Sequence, residues 1–322
     1  MPAKKAHVAD KKPASRAAVA ESGTRVRKLK KKEQKKLTTP LPNAWTLLKD
    51  ALRHLYRNKK LFLGILAIYG ILYILLVKGV SESFQLTTSR DSFDEILGDS
   101  QSALQTGVSL YGVLLGTAGS SSTDLAGLYQ TMLFVIVSLA VIWSLRQTYA
   151  AKAAVTIRSA FYESTGQLVP FIIVLFFVAL HCVPVIIGVS VYSTIVANTL
   201  VMSGPEQLLS LSLLAGGLAW SLYLLSSSLF ALYIVTLPGK RPRAALKAAR
   251  ELVKLRRMQL ARKIFFLPVL FMSMSAAVLI PLLIVFTPAA ELLFLLFTIL
   301  VLGITHSYLY ALYRNLLDEG TA

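Results

Sequence analysis

Six long apolar blocks, each ending in charged or turn residues, leave this 322-residue chain few ways to fold. The blocks run at about 61–80, 129–147, 168–192, 209–237, 264–286 and 292–313. A helix needs about 20 predominantly apolar residues to cross the hydrocarbon core of a bilayer, and each block has that length. With 55% hydrophobic residues and a mean hydropathy of +0.62, the chain carries too much apolar surface for a domain facing water. Backbone groups inside lipid must be satisfied within the protein. The expected fold class is therefore all-α, an integral membrane six-helix bundle.

Charge orients the bundle, because Lys and Arg concentrate in cytosolic loops. Residues 1–60 hold 18 basic and 4 acidic side chains, and residues 240–263 hold 10 and 1. Over all segments that six spans place on that side, the formal charge is +24, against −6 on the other. The expectation is a multi-pass protein of the plasma (cytoplasmic) membrane with both termini cytosolic. The first apolar run starts only at Leu61 and has full-span length, so it reads as a signal anchor and not a cleaved leader. Residues 1–42, rich in Lys, Arg, Pro, Ala and Ser, read as a disordered basic tail. Residues 43–313 form the membrane domain, 314–322 a cytosolic tail, and 81–128 an acidic outer loop. Within that loop, Leu104 to Ala118 is too short and too rich in Gly, Ser and Thr to span, and is expected in or under the outer leaflet.

A candidate amphipathic helix precedes each odd-numbered span, which suggests a threefold repeat of interfacial helix, span and span. In the third unit Arg243, Lys247, Arg250, Lys254 and Arg257 recur every three or four residues and share one helix face. Ala245, Ala248, Ala249, Leu252 and Leu255 fall opposite, while Arg256 and Lys263 fall on the apolar side. In the first, Trp45, Leu48, Leu52 and Leu55 line one side and Lys49, Arg53, Arg57 and Lys60 the other, with Asn43 at the N-cap. The second is weaker: Ala154, Ile157, Ala160 and Phe161 with Lys152 and Arg158. Such helices lie in the membrane interface with cations toward anionic headgroups. The plainer explanation of the charges is positive-inside bias alone.

One span ends in Leu237-Pro238-Gly239. Ala244-Ala245-Leu246, Ala248, Leu252 and the Arg256-Arg257 pair follow, running into Ile264-Phe265-Phe266-Leu267. With the Trp45–Tyr56 and Ala153–Phe161 segments, this pattern resembles the membrane domain attached to some bacterial glycerophosphoryl diester phosphodiesterases, including stand-alone members of unknown function. The resemblance covers residues 43–313 and implies a six-helix bundle with no established activity. No soluble catalytic domain is expected beside the spans, and the histidines of these 322 residues are His7, His54, His181 and His306, so phosphodiesterase chemistry is not expected to carry over.

Polar groups inside spans are the default candidates for function. His181, beside Cys182 and Pro184, and His306, between Thr305 and Ser307, could form a proton-responsive or metal-binding pair if their helices face each other; otherwise each is a hydrogen-bonded core histidine. Ala215-Gly216-Gly217 and Ser226-Ser227-Ser228 suit close helix packing. Pro170, Pro184, Pro268 and Pro281 are placed to kink or start spans three and five. No catalytic, cofactor or metal constellation is expected, so an enzyme is the least favoured class. The leading expectation is a membrane-organising protein that engages the bilayer, anionic lipid headgroups or membrane-protein partners through a basic cytosolic collar. A transporter or channel for a small or lipidic solute is the alternative. The Lys-rich stretch from Arg25 to Lys36 could meet nucleic acid, but the nearby anionic leaflet is the simpler partner. Reporter fusions at positions 155 and 250 are expected to read the cytosol, and those at 100 and 200 the opposite side. A fusion at 155 reading outside would invert the scheme downstream.

Overall fold

The computed structural model describes residues 42–78, 111–112, 114, 124–150, 155–197, 204–254 and 256–321. The chain divides into a unit of Asn43–Arg314, which holds the helical core, and a unit of Met1–Pro42 with Asn315–Ala322. Of the second unit, Pro42 and Asn315–Thr321 are described, and Asn315–Thr321 is helical where a tail was expected. The basic tail, most of the outer loop, and Lys152, Ala153, Ala154 and Leu255 lie outside the described residues. No strand occurs among the described residues. Six helices are long and apolar enough to cross a membrane: Lys59–Val77, Leu125–Tyr149, Ile157–His181, Leu208–Val235, Arg257–Val285 and Leu292–Asp318.

The first of the three expected units comprises α1 (Ala44–Arg57), α2 (Lys59–Tyr73, ending in a π-helical turn Ile74–Lys78) and α3 (Asp124–Tyr149). The second comprises α4 (Ile157–Ser164), a 3₁₀ turn Thr165–Gln167, α5 (Leu168–His181), α6 (Val183–Ala197) and α7 (Gly204–Val235). The third comprises α8 (Pro242–Val253), α9 (Arg257–Val285) and α10 (Thr287–Thr321).

Each short amphipathic helix is bounded by local chemistry. Asn43 occupies the N-cap of α1, but its side chain makes no capping bond; instead the Thr46 hydroxyl donates to the Asn43 carbonyl at 2.7 Å. Asn58 ends α1, donating its backbone N–H and its side-chain amide to the His54 carbonyl, while its own carbonyl accepts from Leu61 and Phe62 to begin α2. Thr156 and Ser159 form a reciprocal capping box at the start of α4. Leu237-Pro238-Gly239-Lys240 folds as a type II turn, with Pro second, Gly239 third at φ +74°, and the Lys240 N–H donated to the Leu237 carbonyl. Pro242 then opens α8 at a position where its missing N–H costs nothing.

That turn folds α8 back along α7. Ala245, Ala249 and Val253, spaced four apart, are completely buried in the contact with α7 and α5. α1 buries Leu47, Leu48 and Ala51, whereas Trp45 and Leu52 remain exposed. The apolar stripe expected from Trp45 to Leu55 is thus rotated: its Leu48 side meets the bundle and its Trp45 side does not. α4 lies on α2 and α3, with the Ile157 side chain filling the space over Gly64 where a Cβ would stand. The two prolines of α9 are carried within one continuous helix.

Pro184 acts differently. The apolar stretch 168–192 is occupied by two helices, because α5 ends at His181 with a tight bond from Cys182 N to Ala179 O. The Val185 N–H beyond the break is taken by the Ser221 hydroxyl of α7 at 3.1 Å. Here α6 and α7 touch backbone to backbone: a Cβ on Gly217 would sit 2.5 Å from the Pro184 carbonyl oxygen, and one on Gly188 would lie 3.1 Å from Leu214 Cα. Toward the α9–α10 connection, Tyr111 and Leu114 pack on Leu279, Leu283 and Ala290. The Tyr111 hydroxyl lies 2.5 Å from Ser275 Oγ and 3.1 Å from the Met272 carbonyl, about 15 Å along α9 from its Val285 end.

The contrast between neighbouring glycines is a direct test. Gly217→Ala must displace backbone and is expected to cost about 1–3 kcal/mol. Gly216→Ala has nothing within 4 Å of the new methyl and is expected to be neutral or slightly stabilising. Thermal unfolding of the two variants in one detergent reads the difference; equal loss in both would contradict the close approach at Pro184.

Candidate functional site

Three helices from three different units meet at the ends nearest the amphipathic helices. Ser138–Leu145 of α3, Ser226–Thr236 of α7 and His306–Tyr313 of α10 are buried over nearly every turn. A local repeat underlies this joint: Leu139-Ala140-Val141, Phe230-Ala231-Leu232-Tyr233 and Tyr310-Ala311-Leu312-Tyr313 each bring a buried alanine to it. The recurrence is visible in the sequence as Phe-Ala-Leu-Tyr beside Tyr-Ala-Leu-Tyr, a signal that hydropathy alone hides.

His306 is the polar centre of the joint. Its Nδ1 lies 3.3 Å from the Tyr233 hydroxyl and its Nε2 lies 3.0 Å from Ser138 Oγ, so one imidazole bridges α3, α7 and α10. The next residue, Ser307, donates to the Ala51 carbonyl of α1 at 3.2 Å, and the Tyr308 hydroxyl donates to the Lys263 carbonyl of α9 at 3.0 Å. Cross-helix bonds of this kind contribute about 0.6 kcal/mol each in a membrane. With both ring nitrogens engaged, His306 has none left for His181, and the histidine pair that the sequence permits is not formed. Among the described residues no three His, Cys, Asp or Glu side chains cluster as metal ligands would.

A second cluster joins α1 to the ends of α3 and α10. The His54 ring stacks on Tyr149 at 3.8 Å between centroids, and its Nε2 lies 2.9 Å from Thr148 Oγ1. The Thr148 hydroxyl proton is directed at the Ser144 and Leu145 carbonyls, which makes His54 Nε2–H the donor. The Arg314 guanidinium lies 4.8 Å from the Tyr149 ring centre. Burial, reinforced by the positive charges of Arg57 and Arg314, pushes His54 down to about 4. Nearby, Arg146 donates to the Thr236 carbonyl at 2.5 Å, closing the end of α7.

The basic residues divide by environment. Arg243, Lys247, Arg250 and Lys254 of α8 are exposed, as are Lys49, Arg53 and Arg57 of α1. Lys49 sits over the exposed Trp45 ring and Lys59 over Tyr56. Arg256 and Lys263, on the apolar side, are buried. Arg257 is half-buried and leaves the basic row: it donates from Nη1 to the Tyr223 hydroxyl at 2.8 Å and lies over that ring, while its Nε has no hydrogen-bond partner. His181, half-buried at the break in span three, also has an unpartnered Nδ1 and lies within electrostatic reach of Arg250. Tyr223 carried no signal in the sequence, since only the α7–α8 turn brings it opposite Arg257.

His54 makes the α1 attachment pH-dependent. The folded state holds it neutral below its ordinary value of 6.5, so unfolding takes up a proton between pH 6.5 and about 4. Stability is expected to be level above pH 6.5 and to fall as pH drops through that window. His54→Gln should flatten the slope of melting temperature against pH there; an unchanged slope would assign it to other groups. Compared with protein-family models, curated proteins and solved structures, the chain shows no match.

Proposed function

We infer that the chain is a non-enzymatic, multi-pass membrane-organising protein of the plasma membrane, with both termini cytosolic, that engages anionic headgroups or partner proteins through its basic collar. One observation carries this reading. α8 buries Ala245, Ala249 and Val253 against the bundle, yet holds Arg243, Lys247, Arg250 and Lys254 outward, where packing has no use for them. α1 repeats the arrangement with Lys49, Arg53 and Arg57, and its exposed Trp45, Leu52 and Tyr56 suit the headgroup layer. The type II turn at Leu237-Pro238-Gly239, where the resemblance to the phosphodiesterase-attached membrane domain is densest, supports a shared architecture without an activity.

The break at Cys182 favours a second reading, a transporter or channel for a small or lipidic solute, because interrupted spans often bind solutes. The filled joint around His306 counts against a route through the centre of the bundle.

Replacing Arg243, Lys247, Arg250 and Lys254 together by Gln tests the first reading. Each exposed cation near an anionic surface contributes about 1 kcal/mol. The fraction of anionic phospholipid retained around the protein after polymer extraction at physiological salt is expected to fall several-fold. An unchanged fraction would remove the lipid role.

A further inference from the structure

Two antiparallel contacts share α7 and fix which residues stand at one level along it. On one side, Pro184 meets Gly217 and Val185 meets Ser221, so His181 comes level with the turn that contains Tyr223. On the other, the turn at Gly239 folds α8 back, and Arg257 beyond its end reaches Tyr223. Arg250, about two turns nearer the start of α8, falls beside the same stretch of α7 and within electrostatic reach of His181. Arg257 and Tyr223 are thus in contact, and Arg250 and His181 stand at neighbouring levels along α7, so four helices contribute polar side chains beside one stretch of it.

The chemistry of that place is anion recognition. Arg257 has its fork oriented by the Tyr223 hydroxyl and its ring, with Nε left over. His181 holds a second unpartnered nitrogen, itself buried, where α5 breaks off. Even with Glu251 alongside, Arg250, Lys254, Arg256 and Arg257 leave this end of α8 strongly positive. The site opens sideways onto the apolar flank of α7, where Trp220 is 66% and Tyr223 48% exposed. It lies about 12–18 Å along α7 from the Val235 end. A ligand with an anionic head and an apolar body satisfies both halves of this description.

We propose that the groove between α5, α7, α8 and α9 is a binding site for one anionic phospholipid, its phosphate held by the Arg257 and Arg250 guanidiniums and its acyl chain laid along Trp220. The proposal rests on the collar reading and narrows it to a single bound lipid at a defined position. Arg257 supplies directed donors to phosphate oxygens, a role its planar fork fills better than a lysine. Tyr223 is a positioning residue that holds the fork in place.

Trp220 supplies a local reporter. The full chain with Trp45 and Trp143 replaced by Phe is reconstituted in phosphatidylcholine vesicles containing either bromine-labelled phosphatidylglycerol or bromine-labelled phosphatidylcholine. Quenching of Trp220 by the anionic lipid is expected to exceed that by the neutral one. Arg257→Gln should reduce the apparent affinity for the anionic lipid about five-fold, and Arg257→Lys should recover only part of it. Arg250→Gln serves as an independent variant if Arg257→Gln does not assemble.

Equal quenching by the two lipids would overturn the site. So would a preference that survives both arginine variants, while loss of anionic lipid in the fourfold collar variant would still support the broader reading. Abolition of the preference by millimolar inorganic phosphate would assign the site to a soluble phosphate and overturn the lipid.

Discussion

The imidazole of His306 holds together three helices that the chain delivers from three separate units, and most of the bundle depends on that junction. Ser138 and Tyr233 reach it from α3 and α7, and the residues on either side of it in space and sequence continue the connection outward to α1 and α9. Lipid-facing helices gain little from hydrophobic association, because acyl chains are as apolar as leucine. A few directed bonds and close-packed alanines must therefore select one arrangement from many of similar apolar burial. Ala140, Ala231 and Ala311 are buried near it, and the histidine gives the arrangement a register.

Around this junction α1 and α8 each have a buried face and an exposed one. α8 and α1 each use a short apolar row against the bundle, and neither row is wide enough to consume the whole helix. What is left outward is cationic on α8, and cationic with large aromatic side chains on α1. Long basic side chains can lie along apolar surface while their charges reach headgroups. Arg256 and Lys263 show the converse case, cations folded into the contact itself.

Much of the architecture was legible because apolar block length and helical periodicity are one-dimensional quantities. The all-helical character, six apolar helices and a row such as Ala245–Ala249 follow from them. Leu237-Pro238-Gly239 was also readable as a turn, since only glycine settles easily at φ +74°. Other features need a partner from elsewhere in the chain. Four prolines looked alike, yet Pro184 ends a helix where Ser221 and Gly217 receive the break, whereas Pro268 and Pro281 ride within α9. Trp45 and Leu52 fit the apolar face of α1 by spacing, but the groove they would fill is taken by Leu47, Leu48 and Ala51. The partners of His306 and the contact of Arg257 with Tyr223 were hidden for the same reason: they join segments distant in sequence.

The turn at Gly239 also makes α8 a measuring rod. Its start is pinned to the end of α7, so the distance to Arg257 is counted in residues from that hinge. One residue added to α8 would swing the side chains after it in that helix by about 100° and displace the point at which α9 begins with Arg257. Seven added residues, nearly two full turns, would restore the direction of the α8 faces but move the start of α9 about 10 Å farther along α7. Length variation here is therefore constrained in phase and in reach together, more tightly than the polar composition of the segment would suggest.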